Sequence, residues 1–187
     1  MTETDFTPTY PLPLPDDRAS TACFTGHRSL PANRLSRIEE KTFHILDVLI
    51  AAGYRTFLCG GALGFDTLAE QCILTRRETV PEIRLILALP CRDQTERWTK
   101  MRALREYQRI KGLADEVVYL RDFYTEGCMK ERNQYMVDRS SFLVAYYNEE
   151  TKGKSGAGQT VRMAQAAGLK IYNVRAALGI REGDAHV

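Results

Sequence analysis

Short runs of apolar residues alternate along this chain with longer segments whose apolar residues recur at helical spacing. Residues 83–89 read IRLILAL, which is apolar at every position except Arg84 and is typical of a strand covered on both faces. Between Leu35 and Leu49 the apolar residues instead follow the repeat of an amphipathic helix, and Gly53 ends that segment. The two kinds of segment then follow one another to the end of the chain.

This alternation predicts a strand after every helix. The predicted strands cover residues 21–25, 54–59, 83–89, 116–120, 141–146 and 170–174. The predicted helices cover residues 31–53, 65–77, 95–112 and 128–139, with a last helix that opens in the loop at 152–158 and stops at Gly168. Strict alternation indicates βαβ units with right-handed crossovers. We therefore expect an α/β fold, namely a three-layer Rossmann-like domain with a mostly parallel sheet of about six strands.

The N-terminal segment departs from this pattern. Residues 7–17 read TPTYPLPLPDD and hold four of the seven prolines, so they favour neither a helix nor a central strand. We expect residues 1–19 to form a flexible proline-rich arm and residues 20–187 to form the single domain. A proline-rich ligand for the aromatic groove of a partner is the alternative interpretation of the arm.

Composition and charge limit the class of partner. Of the 187 residues, 26 are basic and 24 are acidic, which gives a net charge of +2. A dedicated duplex-DNA binder usually has a clear basic excess, so we do not expect nucleic acid as the general partner. The balance leaves room for a local basic patch. The segment predicted as the helix at 95–112 is rich in arginine and lysine, which indicates either a solvated face or an anion-binding face.

The cysteines and the apolar runs indicate a cytoplasmic protein. The five cysteines have neither a CxxC spacing nor a histidine at zinc spacing, so we expect reduced, mostly buried thiols and no metal site. The first ten residues are acidic and polar, unlike a signal peptide. The longest apolar run, residues 45–52, is too short to cross a bilayer, and we expect no membrane association.

Candidate chemistry lies where the predicted strands end. Ligands of an open parallel sheet bind outside the carboxyl ends of its strands, and glycine-rich turns that lead into helices there favour phosphate. Three such loops follow the first, second and fifth predicted strands, at residues 25–28, 60–66 and 152–160. We expect the ligand-binding residues to be Gly26, His27, Arg28, Gly60, Gly61, Gly64, Asp66, Trp98, Arg132, Asn133, Ser155, Gly156, Gly158 and Thr160.

Several of these residues have two interpretations from sequence alone. Arg28 has the planar fork that pairs with a phosphate. Asp66 either caps a helix start or binds a ribose hydroxyl, and Trp98 is either a core residue or a stacking platform for a base. Arg132 and Asn133 either reach the same mouth or belong to a salt-bridged surface.

Two nucleotide-binding motifs are absent. The stretch at 153–155 reads GKS like the end of a P-loop, but Asn148 stands where the first glycine of that motif belongs. No GxGxxG follows the first predicted strand, which argues against a standard NAD-dependent dehydrogenase. The sequence also lacks an obvious pair of nucleophile and base.

Five segments together resemble the YpsA-like family of the SLOG superfamily, whose Rossmann-like domains include DprA and the Lonely Guy enzymes. They are FTGHR at 24–28, CGGALGFDTLAE at 59–70, LPC at 89–91 with the downstream Trp98, KERNQYMVDRSSFLVAYYNEE at 130–150 and GKSGAGQTVRMA at 153–164. The resemblance implies a fold whose glycine loops bind a nucleotide or a nucleotide-derived ligand. It also implies a homodimer.

The resemblance leaves enzymatic activity open. Lonely Guy enzymes combine an arginine with a glutamate in a PGGxGTxxE loop, whereas this chain reads SGAGQTVRMA and has Arg162 and Met163 at that spacing. Without that carboxylate, a phosphoribohydrolase lacks the group that stabilises its transition state. We therefore expect a sensor or carrier of a nucleotide-derived small molecule, with no certain cofactor. The alternatives are a nucleotide-processing hydrolase that uses Glu70 or Asp66 and a single-stranded nucleic-acid binder.

Overall fold

A computed structural model describes residues 17–149 and 155–179 of the chain. Within these residues, the strands are β1 (Thr21–Gly26), β2 (Thr56–Cys59), β3 (Arg84–Leu89), β4 (Glu116–Tyr119), β5 (Phe142–Tyr146) and β6 (Lys170–Asn173). The helices are α1 (Leu35–Ala51), α2 (Phe65–Arg77), α3 (Met101–Leu113), α4 (Cys128–Asp138), α5 (Gly156–Ala166) and α6 (Val174–Ala177). Short 3₁₀ turns cover Arg18–Ser20 and Ala32–Arg34.

The described strands form one sheet in the order β4-β3-β2-β1-β5-β6. Every neighbouring pair is parallel, so the sheet is entirely parallel where the sequence predicts a mostly parallel one. The chain builds the sheet outward from β1 to β4 and then returns to the other side of β1 with β5. The strand order therefore reverses between β1 and β5, which is the switch point of a doubly wound fold.

Helices cover both faces of this sheet, as the sequence predicts. Phe24 of β1 packs in a fully buried cluster with Leu46 of α1, while its neighbour Cys23 points to the opposite face. There Cys23 shares a second cluster with Met136 of α4 and Val161 of α5. Each strand thus contributes alternate side chains to two cores, and the result is the predicted three-layer, Rossmann-like arrangement.

The helix predicted at 95–112 is wrong at its start, because α3 begins only at Met101. The preceding residues form turns held by tertiary contacts. Gln94 Nε2 donates to the carbonyl oxygen of Gly61 at 2.6 Å, and Asp93 Oδ2 accepts from the backbone N–H of Tyr124 at 3.1 Å. These ties to neighbouring loops override the local helical pattern, and they place Trp98 outside the helix.

The proline-rich arm and the third glycine loop are described only in part. Residues 1–16 of the proline-rich arm, residues 150–154 of the third glycine loop and residues 180–187 lie outside the described residues. The arm and its boundary with the domain stay predictions.

The five cysteines are buried and free, as expected from their spacing. Among the described helices, none is long and apolar enough to cross a membrane.

Candidate functional site

A cavity of about 720 Å³ opens at the carboxyl ends of β1, β2 and β3, and we call it the first cavity. Its walls come from Arg28 after β1, from residues 62–64 after β2 and from residues between 93 and 100 after β3. Ala103 of α3, Tyr124 and two residues of α4, Met129 and Arg132, complete the lining. The cavity therefore lies at the edge where parallel α/β folds bind their ligands.

Basic side chains outnumber acidic ones on the walls of the first cavity. Arg28, Arg97 and Lys100 are exposed to solvent and line the cavity together with the more buried Arg132. The acidic side chains of the lining are Asp93 and Glu96. The hydrogen bond from Tyr124 N–H lowers the pKa of Asp93, which is therefore an anion at neutral pH. The remaining balance is positive and favours an anionic ligand.

Trp98 packs against the core and also lines the first cavity. Its ring meets the ring of Tyr107 edge to face at 5.3 Å and packs against the apolar core. The other side of the same residue lines the first cavity, so the indole is a fixed apolar wall. Tyr124 forms part of the rim, with the Arg97 guanidinium 5.6 Å from its ring centre.

The glycine loop after β2 directs its backbone N–H groups into the protein. The N–H of Gly61 donates to Glu70 Oε1 at 3.0 Å. Burial raises the pKa of Asp66, while the Arg132 guanidinium and the backbone of residues 60 and 62 lower it. At Gly61, an internal carboxyl group thus occupies a peptide N–H that the sequence assigns to a phosphate.

Arg132 holds the same loop from the other side. Its Nη1 donates to the carbonyl oxygen of Gly60, and its Nε donates to Asn133 Oδ1 at 2.8 Å. A side chain at position 60 would overlap the guanidinium, so the close approach requires glycine there. Arg132 and Asn133 are both buried, so they do not form the surface salt bridge considered above, and Arg132 lines the first cavity.

The charges beneath the loop are unequal, because one arginine faces two carboxyl groups. Burial raises the pKa of Glu70 well above its ordinary value, and the nearby Asp66 carboxylate raises it further. Burial also lowers the pKa of Arg132, while Asp66 opposes that shift. Burial raises the pKa of Asp66 as well, while the Arg132 guanidinium lowers it.

His27 connects the loops on either side of the switch point. Its backbone N–H donates to the carbonyl oxygen of Tyr146 at 3.0 Å, and its carbonyl oxygen accepts from Phe65 N–H at 3.1 Å. The ring Nε2 accepts the backbone N–H of Asn148 at 2.8 Å, which requires a neutral imidazole. Next to it, Gly26 leaves room for the Phe65 ring, which any Cβ would overlap.

The residues predicted on the third loop form the start of α5. Ser155 Oγ accepts the N–H of Gly158 at 3.1 Å and caps the helix, and Thr160 Oγ1 donates to the carbonyl oxygen of Gly156 at 3.0 Å. Gly156 is exposed, whereas Gly158 and Thr160 are buried. None of the described residues of this loop lines the first cavity, and their part in phosphate binding stays a prediction.

The predicted site residues thus fall into three groups. Those that line the first cavity are Arg28, Gly64, Trp98 and Arg132. Those that belong to its glycine loop or lie beneath that loop are Gly60, Gly61, Asp66 and Asn133. Those at the switch point and at α5 are Gly26, His27, Ser155, Gly156, Gly158 and Thr160.

Sequence reasoning predicted Trp98 in the segment after β3 but missed three other residues of that segment. Gln94, Arg97 and Lys100 line the first cavity, but the sequence places the two basic residues on a helix face. The available signal is Pro90, which ends the third predicted strand. The chain just after it must lie at the same sheet edge as the glycine loops.

Glu70 provides a test of the internal anchoring of the loop. We expect Glu70→Ala to lower the free energy of unfolding by about 1–3 kcal/mol, because Gly61 N–H loses its buried acceptor. Glu70→Gln retains an acceptor and carries no charge to bury. A carboxyl group with a raised pKa loses its stabilising contribution as pH rises above 4.5. The free energy of unfolding of Glu70→Gln should therefore rise relative to that of the wild type between pH 5 and 8.

Urea unfolding at both pH values measures these differences, with the exposed Glu126→Gln as the matched control. Equal destabilisation by Glu70→Gln and Glu70→Ala at pH 8 would contradict the anchoring role.

The hydrogen bond at His27 makes part of the stability depend on pH. Burial lowers the pKa of His27 below 6.5, and the charge of Arg175 lowers it further. The unfolded chain therefore binds this proton first, so stability should fall as pH drops below 6.5 toward the lowered value, by at most about 1.4 kcal/mol per pH unit. Urea unfolding between pH 5 and 8 should show this loss as a difference between the wild type and His27→Ala, because Glu70 contributes the opposite slope to both. The exposed His44→Ala is the control, and an unchanged slope in His27→Ala would refute the assignment.

Two sequence relatives are similar to more than half of this chain. The uncharacterized SPbeta prophage-derived protein YoqJ of Bacillus subtilis is 28% identical over 131 residues, which cover 63% of this chain and 75% of YoqJ. The UPF0398 protein BH1768 of Halalkalibacterium halodurans is 28% identical over 107 residues, 56% of each chain. The chain therefore spans little more than half the length of this second relative.

Solved structures share the fold, and a family model covers most of the chain. DprA of Streptococcus pneumoniae superposes with a TM-score of 0.59 at 13% identity, over 84% of this chain and 51% of DprA. DprA of Helicobacter pylori, whose single-stranded DNA binding mode that structure describes, gives a TM-score of 0.57 at 16% identity over 87% and 73%. The family model of YpsA, described as the YspA SLOG family, matches residues 24–176. The resemblance carried by the five segments is thereby confirmed, and the chain belongs to the YspA SLOG family.

Proposed function

We propose that the first cavity binds a nucleotide-derived anion and that the protein serves as its sensor or carrier. The observation that supports this most directly is the pairing of Arg28 and Trp98 on the walls of one cavity of about 720 Å³. This size lies within the range of roughly 300–1,000 Å³ that is usual for small-molecule sites. A guanidinium and an indole in one cavity suit a ligand with a phosphate and a base.

The phosphate lies at Arg28 in this proposal, beside the N-terminal end of α2. Gly64 caps that helix at a φ of 82°, and the positive end of the helix dipole adds to the guanidinium charge. Arg97 and Lys100 supply further positive charge on the opposite wall. The base packs against Trp98. Side chains and the helix end, rather than the peptides at 60–62, then recognise the anion.

The positions of Asp66 and Glu70 favour a ligand-binding protein over a hydrolase. The sequence assigns Asp66 to a ribose hydroxyl and considers both residues for a hydrolase. Glu70 is only 2% exposed and already accepts Gly61 N–H. We therefore propose that both carboxyl groups act on the ligand through the glycine loop, which they hold in place.

The location and the assembly of the protein also stay proposals. The five buried, free cysteines suit a reducing compartment, and we propose the cytoplasm. The homodimer implied by the resemblance remains a prediction.

Calorimetric titration with AMP, ADP-ribose, NAD and a cyclic dinucleotide tests the proposed binding. We expect at least one of them to bind, and we expect Arg28→Ala to weaken that binding about tenfold or more, because a charge-assisted contact to phosphate is lost. Trp98→Leu should weaken it as well. Arg105→Ala, at an exposed arginine of α3 outside the cavity lining, is the matched control.

Two results would contradict the proposal. One is the absence of binding by all four compounds at millimolar concentration. The other is an equal affinity of the wild type and Arg28→Ala.

Single-stranded nucleic acid is a second candidate ligand, although the near-neutral charge predicts otherwise. Phe123 is 74% exposed, and the adjacent Tyr124 lines the first cavity beside Arg97. Exposed aromatic rings next to basic groups are the elements that bind unpaired bases and their phosphates. The described binding mode of the Helicobacter pylori neighbour adds weight to this candidate.

Fluorescence anisotropy of a labelled oligothymidylate tests this candidate. If it is correct, binding should weaken steeply with salt, and Arg97→Ala should reduce the slope of log K against log salt by about 0.7. Phe123→Ala should weaken binding without a change in that slope, and Arg37→Ala on the exposed face of α1 is the control. No anisotropy change at low salt would exclude this candidate.

A further inference from the structure

A second cavity of about 470 Å³ lies next to the first one and shares its wall. Leu63, Gly64 and Ala103 line both cavities. The boundary between the two spaces is therefore one leucine and one glycine of the loop after β2, facing a small residue of α3. Nothing larger than a methyl group projects from the α3 side at position 103.

The second cavity differs from the first in its chemistry. Four leucines line it: Leu30, Leu35, Leu63 and Leu68. Leu35 begins α1 and is 42% exposed, so this apolar surface is open to solvent. Covering this surface with an apolar group of a ligand is favourable, because the apolar surface is removed from water.

The charged groups of the second cavity are acidic. Glu106 is already engaged, since it accepts from Gln71 Nε2 at 2.8 Å and from Arg109 Nη2 at 2.6 Å. Glu39 lies at the exposed edge of α1. A second phosphate is therefore disfavoured here, in contrast to the first cavity with its exposed basic side chains.

We infer that the ligand has two parts, a nucleotide in the first cavity and an apolar substituent on its phosphate that occupies the second cavity. This inference rests on the proposed function. It follows from the position of Gly64, which lies beside Arg28 in the first cavity and also lines the second. A phosphate held at Arg28 lies next to that boundary, and a group esterified to it extends over Leu63 toward Leu30 and Leu35.

The proposed ligand is therefore a nucleoside phosphodiester with an apolar group, rather than a nucleoside triphosphate. A triphosphate would place further negative charge toward Glu39. An alkyl or aromatic ester places carbon atoms against the leucines and leaves a single negative charge at Arg28.

AMP and its 5′-hexyl phosphodiester are the probes for this inference, compared by calorimetry on the full chain. The hexyl ester should bind about tenfold tighter than AMP, since several methylene groups leave water. Leu35→Gln should abolish this gain and leave the affinity for AMP unchanged. Leu30→Gln, on the same leucine surface and outside the lining of the first cavity, should do the same.

Leu113→Gln is the matched control, because Leu113 is 44% exposed on α3 and lies outside both cavity linings. It should keep the full gain of the hexyl ester. Circular dichroism confirms that each variant is folded.

The outcomes separate this inference from the proposed function. Equal affinities of the wild type for AMP and its hexyl ester would overturn the two-part ligand and leave nucleotide binding intact. Failure of both probes to bind would overturn the proposed function and this inference with it.

Discussion

The buried carboxyl groups of Asp66 and Glu70 lie beneath the glycine loop, and Glu70 accepts the N–H of Gly61 from inside the protein. Burying two acids side by side is costly, and the guanidinium of Arg132 and the N–H of Gly61 offset part of that cost. The position of the loop follows from this constraint. Its two open sides then form walls of the two cavities.

An internally held loop differs from the phosphate-binding loops that it resembles in sequence. In those loops, the ligand itself satisfies the peptide N–H groups. Here the carboxyl group of Glu70 satisfies the N–H of Gly61, and Gln94 satisfies the carbonyl oxygen of Gly61 from the segment after β3. The loop is therefore formed before any ligand arrives, and recognition falls to side chains such as Arg28 and Trp98.

Sequence reasoning predicts the fold well because hydrophobic periodicity reports directly on burial. The run at 83–89 is apolar since β3 contacts both cores, and the helix predicted at 65–77 coincides with α2. The start of α3 is wrong because Gln94 and Asp93 bind distant backbone groups, which no local pattern encodes. For the same reason, the sequence could place Asp66 near the loop but could not tell that its carboxyl group faces inward.

The parallel sheet also separates the candidate site from the other ends of its strands. Every turn that leads from a helix into a strand lies at the amino edge, opposite the glycine loops. Gly53 and Gly168 are two such turns, both with positive φ and with open space where a side chain would project. A fluorophore, an affinity tag or an inserted domain attached at these turns would leave both cavities untouched. The architecture therefore offers two attachment points for turning the protein into a reporter of whatever ligand it binds.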